Sequence, residues 1–404
     1  MAPPPRPYDI VVFGATGDAG SAVARYLGKH GGAGLKWALA GRDAGKLERL
    51  KASEASLRDV PTLHAEVHDA ASMGALAESC AVLLTAAGPY ARVGRAVVCA
   101  CIAAQTHYVD VTGEVHWVAE MAKLYEFQTK STFVSFAGYD CVPDEASLFA
   151  TARALREPLA FGECVVDFGA EGGGPRGTVL TVLGFFQEPM RAAKGWAAFM
   201  GLGKGCRAAA ARDLAQWCLP HFSATLGCFT VPNFMGAIQI PVIHRSGHDN
   251  GWVTQTFRFK DRMVVPPLSN FLRGSLAYYA FVVVVFFVAP VLGLCVMLAK
   301  VPVLEASVRR RLERRTYGGS DAAKLSVTAT GVSASGRSAT ATLTVVGDAG
   351  IVATAALCAE VALCMVECKD TLRPGFATPV GALGDRLLRR IERAPTMTLD
   401  VRAL

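Results

Sequence analysis

Residues 8–20 read YDIVVFGATGDAG, and the fold turns on how that stretch is parsed. Tyr8–Phe13 is a short apolar run that fits a buried strand. Gly14, Gly17 and Gly20 follow at three-residue spacing and lead into a helical pattern over Ser21–Leu27. A strand, a glycine turn and a helix start form a seat for the pyrophosphate of a dinucleotide, because the first amides of a helix are unpaired donors at the positive end of its dipole. Gly14 permits the tight turn, Gly17 lets the backbone approach phosphate oxygens without a Cβ, and Gly20 lets the helix pack close to the strand. Gly14, Ala15, Thr16, Gly17 and Gly20 are therefore the expected phosphate-binding residues. The spacing is G-x-x-G-x-x-G rather than the commoner G-x-G-x-x-G, and a glycine-rich turn without a ligand is the plain alternative.

Strand and helix patterns alternate outward from this stretch to about residue 155. Apolar runs at Leu35–Ala40, Leu63–Val67, Ala81–Ala87, His107–Val111 and Thr132–Ala137 are separated by helical stretches at Ala44–Lys51, Ala71–Glu78, Gly94–Ala104 and Val115–Thr129. Such alternation implies a doubly wound parallel sheet with right-handed crossovers, with ligands beyond the carboxyl ends of the strands. The expected organisation is α/β: a Rossmann domain over residues 1–155, a second α+β domain over 156–350, and C-terminal helices over 351–404 that return to the first domain.

The end of the second strand selects the nucleotide. A free ribose 2′-hydroxyl is usually met by Asp or Glu about 20 residues past the glycines. Here the strand ends Leu39-Ala40-Gly41-Arg42. A guanidinium forks onto a 2′-phosphate and cannot accept a hydroxyl proton, so NADP(H) is favoured over NAD(H), with Lys46 adding charge. Asp69 after the third strand fits either the adenine amino group or the N-cap of the following helix. Ala87, Gly88 and Pro89 after the fourth strand leave room for ribose and nicotinamide, and Tyr90 either points toward the reacting face or packs under the loop.

These residues resemble the saccharopine dehydrogenase-like oxidoreductase family, nearest its trans-acting enoyl reductases of lipid biosynthesis. The resemblance rests on FGATGDAG (13–20), ALAGRDAGKLERL (38–50), AAGPYARVG (86–94), CIAAQTHYVDVTGE (101–114), AGYDCVPDE (137–145) and, late in the chain, LRPGFATPVGALGDRL (372–387). It implies an NADP-type Rossmann domain, a mixed second domain and reduction of a small or lipid-linked substrate. Asp18 departs from it, standing where an aromatic is common.

A hydride-transfer enzyme must place the nicotinamide against an acceptor and supply or receive a proton. Two clusters fall at the ligand edge of the sheet. His107–Glu114 carries Tyr108, Asp110 and Thr112 on one face by strand alternation. Tyr139–Asp144 follows the sixth strand. Tyr90, Tyr108, Asp110, Tyr139, Asp140 and Cys141 are the candidate catalytic residues, with tyrosine or cysteine as proton donor and Asp110, Asp140 and Glu114 orienting. Against this, Asp144 fits a helix N-cap and Asp110 a loop tie. There is no Tyr-x-x-x-Lys pair in either cluster.

From about Phe161 the texture changes. Glu163–Phe168, Thr178–Leu183, Trp252–Phe259, Lys324–Thr330 and Arg337–Val346 read as strands, the last two as a hairpin. Pro189–Ala215 and Ile351–Cys368 read as helices. Leu276–Ala299 is 24 residues without a charge, long enough to span a bilayer, but Pro290 breaks it into legs of 14 and 9 residues. The longer leg reaches about 21 Å, which suits a re-entrant hairpin in one leaflet or a lipid-droplet monolayer. A buried helix or a core strand is the alternative. Arg309–Arg315 and Arg386–Arg393 concentrate positive charge, yet the net charge is only +7 and glutamates are interspersed, so no nucleic-acid partner is expected. The 12 cysteines include no C-x-x-C and read as reduced thiols. His244 and His248 flank Arg245–Gly247, which reads as loop, so no metal site is expected. The MAPPPRP start has no apolar signal core, so secretion is not expected.

The expectation is thus an NADP(H)-dependent oxidoreductase acting on a small-molecule or lipid substrate. Its expected place is membrane-associated and cytosol-facing, at an endoplasmic reticulum, lipid-droplet or other organelle surface, with a homodimer compatible. The competing expectation is a non-catalytic Rossmann-fold scaffold on a membrane or droplet.

Overall fold

The computed structural model describes residues 6–168, 194–199, 205–217, 221–223, 228–233, 235–264 and 319–404. Six parallel strands, β1 (Tyr8–Phe13), β2 (Trp37–Gly41), β3 (Thr62–His64), β4 (Cys80–Thr85), β5 (His107–Asp110) and β6 (Thr132–Val134), lie in the order β6-β5-β4-β1-β2-β3. Central β1 sets Val11 opposite Ala38 on one side and Leu83 on the other. Ile10, Val11, Val12, Val82, Leu83 and Leu84 are wholly buried, because helices cover both faces of a parallel sheet and its strands read as continuous apolar runs. The crossovers are α1 (Asp18–His30), α2 (Ala44–Ser53), α3 (Ala70–Glu78), α4 (Tyr90–Ala104) and α5 (Val115–Tyr125).

Helix α6 (Val142–Leu155) leaves this sheet and enters a second one. Eleven of its residues are buried, since it lies between the Rossmann domain and strands of the second sheet. That sheet comprises β7 (Leu159–Asp167), β8 (His221–Ser223), β9 (Cys228–Pro232), β10 (Val253–Met263), β11 (Lys324–Ser333), β12 (Ser338–Val346) and, from the end of the chain, β14 (Met397–Ala403). Its order is β14-β12-β11-β7-β10-β9-β8. β7 and β10 run parallel, and the other neighbours antiparallel. In the β11–β12 hairpin Leu325, Val327 and Ala329 are buried, whereas Thr328 and Thr342 bond each other at 3.1 Å on the other face. The same second domain contains α7 (Arg207–Gln216) and α8 (Gly236–Asn250).

The C-terminal stretch departs from the all-helical expectation. Besides α9 (Val352–Cys368), α10 (Pro379–Leu383) and α11 (Asp385–Arg393), it gives each sheet one strand: β13 (Gly375–Ala377) extends the first sheet beside β6, and β14 extends the second beside β12. Helix α9 is apolar over most of its surface, Glu360 and Glu367 aside, and packs on α1, β1, β4 and β5, as so apolar a helix must. The loop expected at 245–247 is instead the interior of α8. His244 and His248 share a helix face there, with rings 5.6 Å apart.

The expected strand Thr178–Leu183 and the apolar segment Leu276–Ala299 lie outside the described residues, as do 189–193 and 200–204 of the expected Pro189–Ala215 helix; residues 194–199 and 207–215 of it are helical. Among the described residues no helix is long and apolar enough to cross a membrane, no group of three metal-binding side chains forms, and the nine cysteines whose side chains are described are all free thiols.

Candidate functional site

The turn after β1 is shaped by two glycines. Gly14 has φ of +78°, and a Cβ there would lie 2.9 Å from the Ala87 amide nitrogen. A Cβ on Gly20 would lie 2.2 Å from the Gly14 carbonyl oxygen, so only glycine lets α1 start against the turn. At Gly17 a Cβ would reach only the Gly14 oxygen, at 3.4 Å. Gly17 is in extended conformation and precedes Asp18 as the helix cap residue, with no side chain capping that end. Thr16 is exposed, and Ala15 is buried with its amide bonded to the Ala40 carbonyl.

The neighbouring helix starts differ. Asp43 caps α2 by accepting from the Lys46 amide at 2.9 Å. Asp69 caps α3 by accepting from the Ala71 amide at 3.0 Å, which is the capping one of its two expected roles. Glu114 accepts from the Tyr90 and Ala91 amides at 2.9 and 2.8 Å and so closes the start of α4. Among α1 to α4, only α1 presents its first-turn amides without a side-chain carboxylate on them. Asp18 stands in that first turn but caps nothing. An uncapped helix start framed by obligatory glycines fits a phosphate anion.

Arg42 follows the last residue of β2, exposed and without an ion pair or hydrogen bond among the described residues. Ala87, Gly88 and Pro89 bridge β4 to α4 at the same sheet edge, Gly88 exposed and its two neighbours half-buried, with the Gly88–Pro89 peptide cis. The residues thus fit an NADP-type dinucleotide: an open helix start for the pyrophosphate, an unpaired guanidinium at the β2 end, and a small-residue loop at the β4 end.

Beyond the β5 and β6 ends lie two carboxyls. Asp110 is fully buried and accepts from the Thr112 amide (3.0 Å), the Phe136 amide (3.3 Å) and the Ser135 hydroxyl (3.1 Å). Burial pushes its pKa up to about 7 against these stabilising bonds. It ties the two loops together and helps hold Phe136 at φ of +65°. Asp140 is also pushed up to about 7, first by burial and then by the charge of Asp110. Its side chain is partly open to solvent and has no hydrogen-bond partner among the described residues. It lies against Gly113, where a Cβ would come within 2.9 Å of its Oδ2.

The other candidates are withdrawn from that edge. Tyr90 donates to the Thr85 carbonyl at 3.0 Å and packs on Trp117 at 5.5 Å. Tyr108 is fully buried against Phe133, its hydroxyl near Asp110 but without a well-formed bond. Cys141 is buried at the start of α6, with its thiol pKa raised by burial. Each of these three side chains is enclosed, as packing would place it. Tyr139 is nearly buried, and its hydroxyl accepts from Asn233 Nδ2 at 3.4 Å.

That last contact brings in residues the sequence reading missed. Asn233, just after β9, also donates to Gln239 Oε1 (2.8 Å) and Asp261 Oδ1 (3.0 Å), and Gln239 donates to Asp144 Oδ2 (2.9 Å). Asp144 is therefore not an N-cap. It joins Asp261 in a buried acid pair whose carboxyls burial pushes well up from their ordinary range. Ile238 of α8 packs over Gly113, so the second domain meets the ligand edge through the start of α8.

Residues 10–133 match the model of the saccharopine dehydrogenase NADP binding domain. Over 191 residues the chain is 36% identical to a provisionally named trans-acting enoyl reductase of Mycobacterium tuberculosis, a match covering 45% of each protein. Over 171 residues it is 31% identical to the trans-acting enoyl reductase of Mycobacterium leprae, covering 41% of each. These matches span less than half of the relatives' length. Saccharopine dehydrogenase (L-Glu forming) from Saccharomyces cerevisiae superposes on 98% of this chain and 100% of its own with a TM-score of 0.51 at 12% identity, a likeness of fold.

Proposed function

We propose, from the premise that residues 10–133 are a saccharopine dehydrogenase-type NADP-binding domain, that this chain is an NADP(H)-dependent oxidoreductase that reduces an acyl or lipidic substrate. The observation that carries the cofactor half is the contrast among helix starts. α2, α3 and α4 have carboxylates on their first amides, and α1 does not. Arg42 would take the 2′-phosphate, with a fork geometry matched to that group. NADPH, when bound, supplies hydride.

The chain's own residues divide the remaining work. Asp140 holds a proton near neutral pH, because burial and the Asp110 charge raise its pKa, and it faces the ligand edge unengaged. It would deliver that proton to the developing enolate of an acceptor. Asp110 fixes the two loops that set Asp140 in place. Ile238 supplies apolar surface over Gly113, which suits an acyl chain. The name of the mycobacterial relatives points to an enoyl acceptor, a carbon–carbon double bond conjugated to a carbonyl. Leu276–Ala299 would bring the enzyme to a membrane or droplet surface where such substrates reside. Deleting it should move the protein to the soluble fraction, and persistence with membranes would refute that placement.

The test is NADPH oxidation by the purified protein, followed at 340 nm, with a trans-2-enoyl thioester and with a lipid extract. Turnover that falls at least a hundredfold in Asp140→Asn, with NADPH binding retained, supports the assignment. NADPH binding without turnover on either substrate set would favour the scaffold reading.

A further inference from the structure

The basic run Arg386–Arg393 takes no part in the dinucleotide reading. In α11, Arg386, Arg389, Arg390 and Arg393 stand at i, i+3, i+4 and i+7, which places them on one helix face, while Leu387, Leu388 and Ile391 are buried behind. The arginines line a cleft of about 300 Å³ closed on its other side by the end of α9 and by Glu367 and Asp370. Arg390 is held by Glu360 and Glu367. Arg386, Arg389 and Arg393 have no carboxylate or hydrogen-bond partner among the described residues.

The cleft lies away from the dinucleotide turn. Thr354, near the start of α9, bonds the Tyr139 amide at the ligand edge. Beyond its other end, Lys369 reaches Asp9 at the opening of β1. α9 is 17 residues long, about 25 Å at the helical rise, so the cleft sits at the opposite edge of the sheet. The α9 carboxyl end and the carboxylates of Glu360, Glu367 and Asp370 offset part of the positive charge. Four guanidiniums against three carboxylates still leave an excess, and the three guanidiniums without a partner among the described residues line a concave space.

The geometry points to a second anion site in this cleft, one that takes a phosphoryl group: a diphosphate-bearing small molecule or a phospholipid headgroup. Guanidinium forks match phosphate oxygens in pairs, and the cleft volume falls within the range of small-ligand pockets. Arg390, fixed by two glutamates, forms one wall of the cleft that Arg386 and Arg389 also line.

Full-length protein saturated with NADP+ is titrated with inorganic pyrophosphate by calorimetry and, separately, mixed with phosphatidic acid vesicles for co-sedimentation. The double variant Arg386→Gln/Arg389→Gln is the comparison. Both side chains are exposed and unpaired, and an unchanged unfolding temperature checks that it folds. Saturable pyrophosphate binding weakened at least tenfold in the double variant, with NADP+ affinity within twofold, supports a soluble diphosphate ligand. Vesicle binding alone, lost in the double variant, supports the headgroup as the source. No binding to either probe, or binding undiminished in the double variant, overturns the proposal. The double variant also separates this site from the Gly14–Gly20 turn, so a failure of the dinucleotide reading is seen as pyrophosphate binding that the arginine changes leave intact.

Discussion

Asp140 joins partial exposure, a carboxyl without a hydrogen-bond partner among the described residues and a raised pKa at the ligand edge of the sheet. An acid that must be protonated to act loses rate as pH rises through its pKa. Turnover should therefore be flat below about pH 7 and fall about tenfold per pH unit above it. Asp140→Asn should abolish that limb together with most of the rate. A pH profile unchanged in a residually active Asp140→Asn enzyme would remove Asp140 from the proton step. The sequence named Asp140 as one of six candidates without distinguishing it from its neighbours. YDC at 139–141 was legible as a cluster after a strand, yet which member stays open depends on burial. Tyr90 packs on Trp117 of α5, folded from another part of the chain, and Cys141 is buried at the start of α6. Glu114 was read as an orienting acid. Its actual partners, the amides of Tyr90 and Ala91, become visible only when the β5–α5 loop is placed against α4.

Elements were more legible where periodicity had little competition. The β1–glycine–α1 unit, the β11–β12 hairpin and α9 lie within a few residues of where their patterns put them. Helix α4 starts at Tyr90 rather than Gly94, because Pro89 leads into its first turn and Glu114 satisfies its first amides. Helix α8 was hidden by Gly236, Pro241 and Gly247, residues of low helix propensity that tertiary packing overrides. Gly247 is needed there, since a Cβ would come within 2.6 Å of Val253. His244 is buried in that helix and pairs with Asp213 at 2.9 Å, a contact between two elements that local pattern cannot show. Strands β13 and β14 are short or polar, and each is defined by the sheet it joins. For α4, replacing Glu114 with Gln leaves one acceptor for two amides. Chemical denaturation should show a loss of about 1–2 kcal/mol, with NADPH affinity within threefold. A neutral effect on stability would mean that the carboxylate does not hold the start of α4.

Across the whole molecule, the two sheets meet through α6 and a buried polar network that carries more acid than base. Asp110, Asp140, Asp144, Glu145 and Asp261 all have pKa values raised by burial. Carboxyls whose folded pKa exceeds the unfolded value bind more protons in the native state, so stability falls as pH rises through the window between the two, here from about 4 to about 7. His107 and His244, lowered mainly by burial, act in the opposite sense below about 6.5, but they are two groups against five. The unfolding temperature should accordingly be higher at pH 6 than at pH 7.5. Asp144→Asn, which keeps an acceptor for Gln239, should flatten that dependence and raise the unfolding temperature at pH 7.5. An unfolding temperature that climbs from pH 6 to 7.5 would show that these acids are ionised without penalty.

The central claim is that the open start of α1 and the guanidinium after β2 together hold NADP(H). Calorimetric titration of the full-length protein with NADPH and with NADH, for the wild type and Arg42→Ala, tests it most directly. Wild-type protein should bind NADPH at least tenfold more tightly than NADH, and Arg42→Ala should lose that preference while its NADH affinity stays within twofold. Equal affinity for the two nucleotides in the wild type, or a preference that survives Arg42→Ala, would contradict it.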